Sequence, residues 1–382
     1  MSTSPTALVH DYLLVMRGAE RTFAAIADCW PGAPIYTLLY DEEGTEGRFA
    51  GREVHISYLQ KLGVGQRGFR RLLPAFPRAV RALPVDGYDL VISSSSAFAH
   101  GVRVDPGARH VCYCHSPFRY AWFETDRALG EVAAPLRPVV RRVLARIREA
   151  DRLAARRVTG YVANSAITQE RIASYWSRPS DVIHPPVEVE RFHPARPEPW
   201  FLVVTELVRH KRVELALEAA RRAGVRVRVV GEGPDRTRLE AEYGGAAGVA
   251  EFLGRVDDLE LADLYSGARA LVLPNVEEFG IAAVEAQAAG RPVVAVAAGG
   301  ALETVVDGRT GVLVEPDDPD ALARALAGTD FERFDSAQIV AHARGFSKAT
   351  FQKRFREAVD LSTGQPVDTQ AGTAAVTPST LS

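Results

Sequence analysis

The stretch that decides the fold reads Leu271-Val272-Leu273-Pro274-Asn275-Val276-Glu277-Glu278-Phe279-Gly280-Ile281-Ala282-Ala283-Val284-Glu285-Ala286. A short apolar run, a polar loop ending at Gly280 and a helical pattern of small residues form the strand–loop–helix unit of a parallel α/β sheet. A helix start offers free N–H groups and the positive end of a dipole, which suit a phosphate. Two carboxylates, Glu277 and Glu285, flank that start, and Glu285 can accept ribose hydroxyls. Taken alone, such a pair is more simply two solvated helix charges.

Working outward, the same unit recurs along the chain. In the first half, strands are expected at Ala7-Leu8-Val9, Asp89 to Ile92, His110 to His115 and Gly160 to Ala163. Helices are expected over Gly18 to Trp30 and Ala166 to Trp176. A Pro-rich segment from Val182 to Pro199 reads as a linker. A second alternation starts at Phe201-Leu202-Val203-Val204 and continues through Val225 to Val230, Glu251 to Leu253, Ala270 to Leu273, Pro292 to Val296 and Gly311 to Val314. The expectation is two tandem Rossmann-like α/β domains, then a helix near Ser347 to Leu361. Ser362 to Ser382 has no periodicity and is expected to be a disordered tail.

Composition bounds the class. The chain has 382 residues, 47% apolar and 25% charged, values of an ordinary globular protein. Three cysteines argue for a reducing compartment and no disulfide framework. A formal charge of −2 argues against a nucleic-acid binder. That near-neutral total conceals an asymmetry. Residues 1–187 carry 24 basic and 18 acidic side chains, a net of +6, while residues 188–382 carry 22 and 30, a net of −8. His10 and Asp11 break the first apolar run, so no leader peptide is expected. The longest apolar stretch, Pro292 to Leu302, is too short to span a bilayer. The expected location is cytoplasmic, with peripheral contact at the inner membrane face possible through the basic segment Lys61 to Arg81.

Several other residues carry chemistry. Glu206-Leu207-Val208-Arg209-His210-Lys211-Arg212 follows a strand and precedes a helix. Lys211 there can neutralise a diphosphate, with Arg209 and Arg212 adding positive field. His115 ends a strand, where α/β sheets present ligands. It reads either as a structural histidine or as a donor to substrate. Gly18, beside Ala19, permits close backbone approach at a helix start. Cys112 and Cys114 share a strand face and read as small buried side chains, not as a zinc site. Leu136 to Arg157 is a basic amphipathic helix, expected to pack its apolar stripe on the sheet. Asp317-Asp318-Pro319-Asp320 reads as a helix start.

These motifs, in order and spacing, resemble glycosyltransferase family 4 of the GT-B fold. The resemblance rests on the Glu277-x7-Glu285 stretch, Gly290 to Ala295, Gly299-Gly300, Glu303 and Asp307-Gly308-x-x-Gly311. It also rests on Val230 to Asp235, Phe252 to Val256, Val162 to Ser165 and His184 to Phe192. The string Cys112 to Tyr120, with Gly68 to Pro77 and Tyr88 to Ser95, is similar to a branch containing GDP-mannose-dependent mannosyltransferases of surface polysaccharide assembly. The resemblance implies an acceptor domain over 1–187, a nucleotide-sugar domain over 188–346 and a helix over 347–361 crossing back to the first. Transfer of a hexose with retention, mannose from GDP-mannose being favoured, onto a glycan or lipid-linked acceptor is implied, with no metal or other cofactor. Glu277, His115 and Lys211 would be catalytic. Glu285 would hold the ribose, Phe279-Gly280-Ile281 the sugar and diphosphate, and Gly254-Arg255-Val256 would lie near the base. Gly18 and Ala19 would face the acceptor or diphosphate. Two departures stand out. Glu206 occupies a position where the family often has Arg, and a single Gly18 replaces a Gly pair. Two other readings compete. One is a dinucleotide-dependent oxidoreductase built on Gly231-Glu232-Gly233, whose third glycine position is Arg236. The other is a non-catalytic nucleotide-sugar or glycan-binding protein on the same fold, and within the family a UDP-sugar-dependent glycosyltransferase is the alternative to GDP-mannose.

Overall fold

The computed structural model describes residues 5–63, 68–246 and 248–363. Two parallel sheets organise it. The first has the order β3-β2-β1-β4-β5-β6-β7. Its strands are β1 (Thr6–His10), β2 (Ile35–Thr37), β3 (Val54–Ile56), β4 (Leu90–Ser95), β5 (Arg109–Cys114), β6 (Gly160–Ala163) and β7 (Asp181–Val182). The second has the order β10-β9-β8-β11-β12-β13. It comprises β8 (Trp200–Val204), β9 (Arg226–Val230), β10 (Ala250–Gly254), β11 (Leu271–Leu273), β12 (Val293–Val296) and β13 (Gly311–Val314). Helices cover both faces, so central strands such as β4 and β12 are buried throughout and read as continuous runs, not alternations.

Each sheet runs outward in both directions from its first strand. The order therefore reverses between β1 and β4 and again between β8 and β11, and ligands of open α/β sheets bind outside the strand ends at such reversals. At the first reversal the chain plugs the gap itself. The Asp11 carboxylate, just past β1, is 1% exposed and accepts the backbone N–H groups of Ser96, Ala97, Phe98 and Ala99 at 2.5–2.9 Å. The residue that breaks the apolar run in the sequence thus pins the loop after β4.

Three strands were not expected from the sequence: β2, β3 and β7. Each is two or three residues long, too short for any periodicity, and each exists only through pairing with its neighbour. The expected linker is also partly structured. It begins in β7, holds a 3₁₀ turn at Val189–Arg191, and the Val187 N–H donates to the Phe346 carbonyl at 2.9 Å. The 136–157 stretch forms a helix, Arg137–Ala155, whose apolar stripe reaches the sheet's core only in part. Leu144 and Ile147 join Val80 and Phe98, and Ala155 joins Cys112 and Cys114. Leu136 and Val139 stay 55% and 61% exposed. The reason is that the segment Phe76–Arg81 and the loop after β4 lie between most of the helix and the strands.

The helices used below are α1 (Gly18–Cys29), α2 (Phe76–Arg81), α3 (Arg137–Ala155), α4 (Ala166–Trp176), α5 (Val213–Ala223), α6 (Ile281–Ala288) and α7 (Lys348–Thr363). The helix Pro319–Gly328 starts where expected, with Asp318 capping it through the N–H groups of Asp320 and Ala321. Following the second sheet, α7 lies on the first domain. Phe351 and Phe355 are 2% and 0% exposed and meet Tyr113 of β5 edge-on at 5.5 and 5.7 Å. The expected tail overlaps α7 by two residues, and its remainder, 364–382, lies outside the described residues. Among the described residues no helix is long and apolar enough to cross a membrane.

Two tests follow from this packing. Phe355→Ala should cost about 3 kcal/mol through the cavity left against Tyr113, read as a lower urea midpoint for the first domain. Burial also pushes His10 and His110 down to about 3, with nearby His115 and His100 respectively adding to it, from an ordinary 6.5. Between those values the unfolded chain binds more protons than the folded one. Stability should therefore fall as pH drops from 6.5 toward 3. His110→Asn should make that slope shallower in urea titrations at a series of pH values, and an unchanged slope would show that His110 is not held neutral.

Candidate functional site

The second reversal, between β8 and β11, carries the site. The loop leaving β8 makes a 3₁₀ turn at Arg209–Lys211, and the loop leaving β11 carries Asn275 to Gly280 before α6. The two strands are adjacent, so their loops face each other. Lys211 Nζ donates to Glu277 Oε1 at 2.6 Å, and Asn275 Nδ2 donates to the same oxygen at 2.8 Å. Gly280, in the left-handed region at φ 86°, is the N-cap of α6. The start of α6 therefore opens beside the ion pair and adds the positive end of its dipole.

The first domain closes this site from above. A cavity of about 510 Å³ is lined by Glu206, Lys211, Glu277, Phe279, Gly280 and Ile281 on one side and by Arg17, Gly18, Ala19, His115, Arg119 and Asn164 on the other. Gly18 begins α1, and a Cβ on it would meet Ile281 Cδ1 of the second domain at 3.0 Å. The missing side chain lets the two domains approach here. His115 Nε2 lies 2.9 Å from Ser94 Oγ, and burial pushes its imidazole down to about 4, so it is neutral near pH 7. His10 stands edge-on to it at 6.5 Å. A neutral imidazole can donate or accept one hydrogen bond without bringing a charge beside a sugar.

Ion pairs brace the cleft. Glu303 accepts the Ala166 N–H at the start of α4 with both oxygens, at 2.9 and 3.0 Å, and meets His184 Nε2 at 2.8 Å. Arg171 of α4 reaches Glu278 at 3.1 Å, and Arg119 stands 3.9 Å from the same carboxylate. Glu278 thus draws two first-domain arginines to the loop that carries Glu277.

Not every expected residue arrives in the cleft. Arg209 and Arg212 line a separate cavity of about 750 Å³ with Glu214, Asp235 and Arg238. The 3₁₀ turn sends consecutive side chains in different directions, and Arg212, itself at φ 52°, pairs with Asp317. Lys211 alone of these three basic residues lines the cleft. Glu285, one turn into α6, lines an adjoining cavity of about 220 Å³ with Arg21, Arg191, Asp258 and Lys348. It accepts the Tyr265 hydroxyl at 2.7 Å, and burial pushes its carboxyl above the ordinary range. Ile281 borders both cavities, so they are neighbours. Gly254, Arg255 and Val256 stand at the end of β10, with Arg255 exposed, and line neither cavity. Glu206 does face the cleft, near Lys211.

The glycines behind the dinucleotide reading have a packing role of their own. A Cβ on Gly231 would lie 1.8 Å from the Thr205 carbonyl oxygen, and one on Gly233 2.2 Å from that of Leu207. These glycines let the loop after β9 pack under the loop after β8. Cys112 and Cys114 are both fully buried, among Val158, Tyr161 and Trp176, and burial pushes both thiols up. The sequence reading assigned no role to Arg17, Arg119 or Glu278. Their signal was present only as charges beside motif residues, and long-range pairing revealed it.

Comparison with known proteins agrees with this geometry. Residues 16–191 match the family model described as Glycosyltransferase Family 4, and residues 188–328 the model described as Glycosyl transferases group 1. The chain is 34% identical over 238 residues to the D-inositol 3-phosphate glycosyltransferase of Streptomyces scabiei, covering 52% of this chain and 51% of that protein. It is 43% identical over 123 residues to D-inositol 3-phosphate glycosyltransferase 2 of Catenulispora acidiphila, covering 30% and 29%. The matched part thus spans about half, or less, of these curated relatives. Among solved structures, Anabaena HepE in complex with UDP superposes with a TM-score of 0.67 at 18% identity, covering 93% of this chain and 100% of that one. Sucrose-phosphate synthase from Thermosynechococcus elongatus gives 0.68 at 19%, covering 95% and 100%. At such identities the superpositions establish the fold, which is GT-B. The first half of the chain thus matches the family 4 model and the second half the group 1 model, on a GT-B fold.

Proposed function

We propose that the chain transfers a hexose from a nucleoside-diphosphate sugar to an acceptor held by the first domain, with retention of anomeric configuration. The Lys211–Glu277 pair at the sheet reversal, beside the start of α6 and beneath His115, carries this reading. Cleavage of the sugar–phosphate bond builds negative charge on the departing diphosphate. A diphosphate entering the cleft takes the Lys211 ammonium from Glu277, and the N–H groups at the start of α6 add hydrogen bonds to it. Glu277, released from Lys211, accepts a sugar hydroxyl and orients the ring. His115, neutral, donates to the sugar from the opposite wall. Lys211 and the helix start supply the positive charge, so the reaction proceeds without metal.

In this reading Glu285 holds the ribose in the adjoining cavity, and Gly254-Arg255-Val256 mark the base side. The resemblance of Cys112 to Tyr120 to a mannosyltransferase branch favours GDP-mannose. A UDP-sugar is the second reading, and it is favoured by the UDP and UDP-glucose named in the HepE structures. On the acceptor side, Arg17 and Arg119 face the cleft, and the curated relatives are named for an inositol phosphate. An anionic acceptor, a phosphorylated polyol or a lipid-linked phosphate, fits that wall.

Three measurements test this. Glu277→Ala should abolish transfer while thermal unfolding stays near that of the native chain, and full activity in that variant would remove the site. Lys211→Ala should lower turnover by about 10²–10³, and turnover should persist in chelator. In a donor screen of GDP-mannose, UDP-glucose and UDP-N-acetylglucosamine, GDP and GDP-mannose should stabilise the fold. Stabilisation by UDP alone would move the donor to the second reading, and binding without turnover on any acceptor would leave a sugar-nucleotide-binding protein.

A further inference from the structure

We propose that a second cavity, on the first domain and sharing no lining residue with the cleft, binds the anionic head and adjoining acyl chain of a membrane phospholipid. The cavity, about 700 Å³, lies between α2, α3 and the loop after β4. Its walls are apolar, built from Val80, Phe98, Val143, Ile147 and Ala154. Four arginines border it: Arg78 and Arg81 from α2, Arg146 from α3 and Arg157 just beyond it. Among the described residues none of the four guanidiniums lies within ion-pair distance of a carboxylate.

Two observations point to a ligand. The first is the uncompensated charge. Other surface arginines of this chain, such as Arg222, Arg236 and Arg238, sit beside acids, whereas these four gather on one apolar cavity without such a partner among the described residues. Here Arg157 lies near Arg81 and Arg103, and burial together with their charge lowers its guanidinium below its ordinary value. The acid that borders the cavity, Asp151, is committed elsewhere. One carboxylate oxygen accepts the indole N–H groups of Trp122 and Trp176 at 2.6 and 2.7 Å, and His100 Nε2 stands 3.1 Å from the other. Like charges gathered at a low-dielectric mouth create a strong local potential for an anion.

The second observation is the surface around the mouth. Leu136, which caps α3, and Val139 and Leu153 within it are 55%, 61% and 49% exposed, among Arg137, Arg141, Arg142 and Arg152. A basic amphipathic helix with outward apolar residues lies in a bilayer interface. A free phosphate would leave the apolar walls unused, and a neutral oil would leave the arginines unmatched. A phospholipid satisfies both. The positive first half of the chain adds attraction to an anionic surface.

Flotation of the full chain with vesicles tests this and needs no turnover assay. Vesicles of phosphatidylcholine with about a third phosphatidylglycerol should carry the chain, and pure phosphatidylcholine should not. Arg81→Gln with Arg157→Gln should weaken partitioning about fivefold per residue. Ala150→Trp, which fills the cavity without changing charge, should also weaken it several-fold. Soluble short-chain phosphatidylglycerol should release the chain from vesicles where the same concentration of inorganic phosphate does not, which tests the cavity even if the Trp variant is unstable. No binding to the anionic vesicles would overturn the proposal. Undiminished binding by a folded Ala150→Trp, or equal release by inorganic phosphate, would also overturn it, leaving only a basic patch.

Discussion

The meeting of Lys211 and Glu277 depends on a constraint of the second sheet. Strands added on either side of β8 must carry their helices to opposite faces, so the loops leaving β8 and β11 diverge and leave a gap between them. Whatever charged groups those loops carry are brought together over the gap without a side-chain contact having to pull them there. Here they are an ammonium and a carboxylate 2.6 Å apart, with a helix start beside them. In the first sheet the equivalent gap is filled from within, by the Asp11 carboxylate holding four consecutive backbone N–H groups. One reversal is rigid and the other is open, and the open one faces the cleft.

The cleft itself is an assembly of two domains that touch at few points. Glu303 reaches the start of α4 and His184, Glu278 reaches Arg171, and Gly18 clears the way for Ile281. Apart from Gly18 against Ile281, these contacts are polar and part-exposed. The apolar anchor lies elsewhere, where α7 buries Phe351 and Phe355 against the first domain. The molecule therefore combines an apolar anchor at one side with mostly polar contacts across the cleft.

Much of the fold was legible because buried parallel strands are apolar runs and the helices between them carry a periodic stripe. Ten of the thirteen strands among the described residues announce themselves this way. Those that do not, β2, β3 and β7, are shorter than any period and owe their existence to a neighbour. The site was legible in part for a different reason. Glu277, Lys211 and His115 each follow a strand, and a parallel sheet delivers every strand's end to the same edge. Arg209 and Arg212 mislead because a loop's length predicts its location but not the direction of consecutive side chains. The turn after Val208 splits Lys211 from both.

The sequence by itself determined the two sheets, the edge at which chemistry collects and the opposite charge of the two halves, since these follow from local pattern and composition. Only the tertiary structure decided which charges meet. It separated Glu285 from Glu277 into adjoining cavities, turned Arg212 toward Asp317 and set Arg81 beside Arg157 over an apolar floor. Pairings of this kind join residues tens to hundreds of positions apart, and electrostatic energy depends on distances of a few ångströms that no linear spacing encodes.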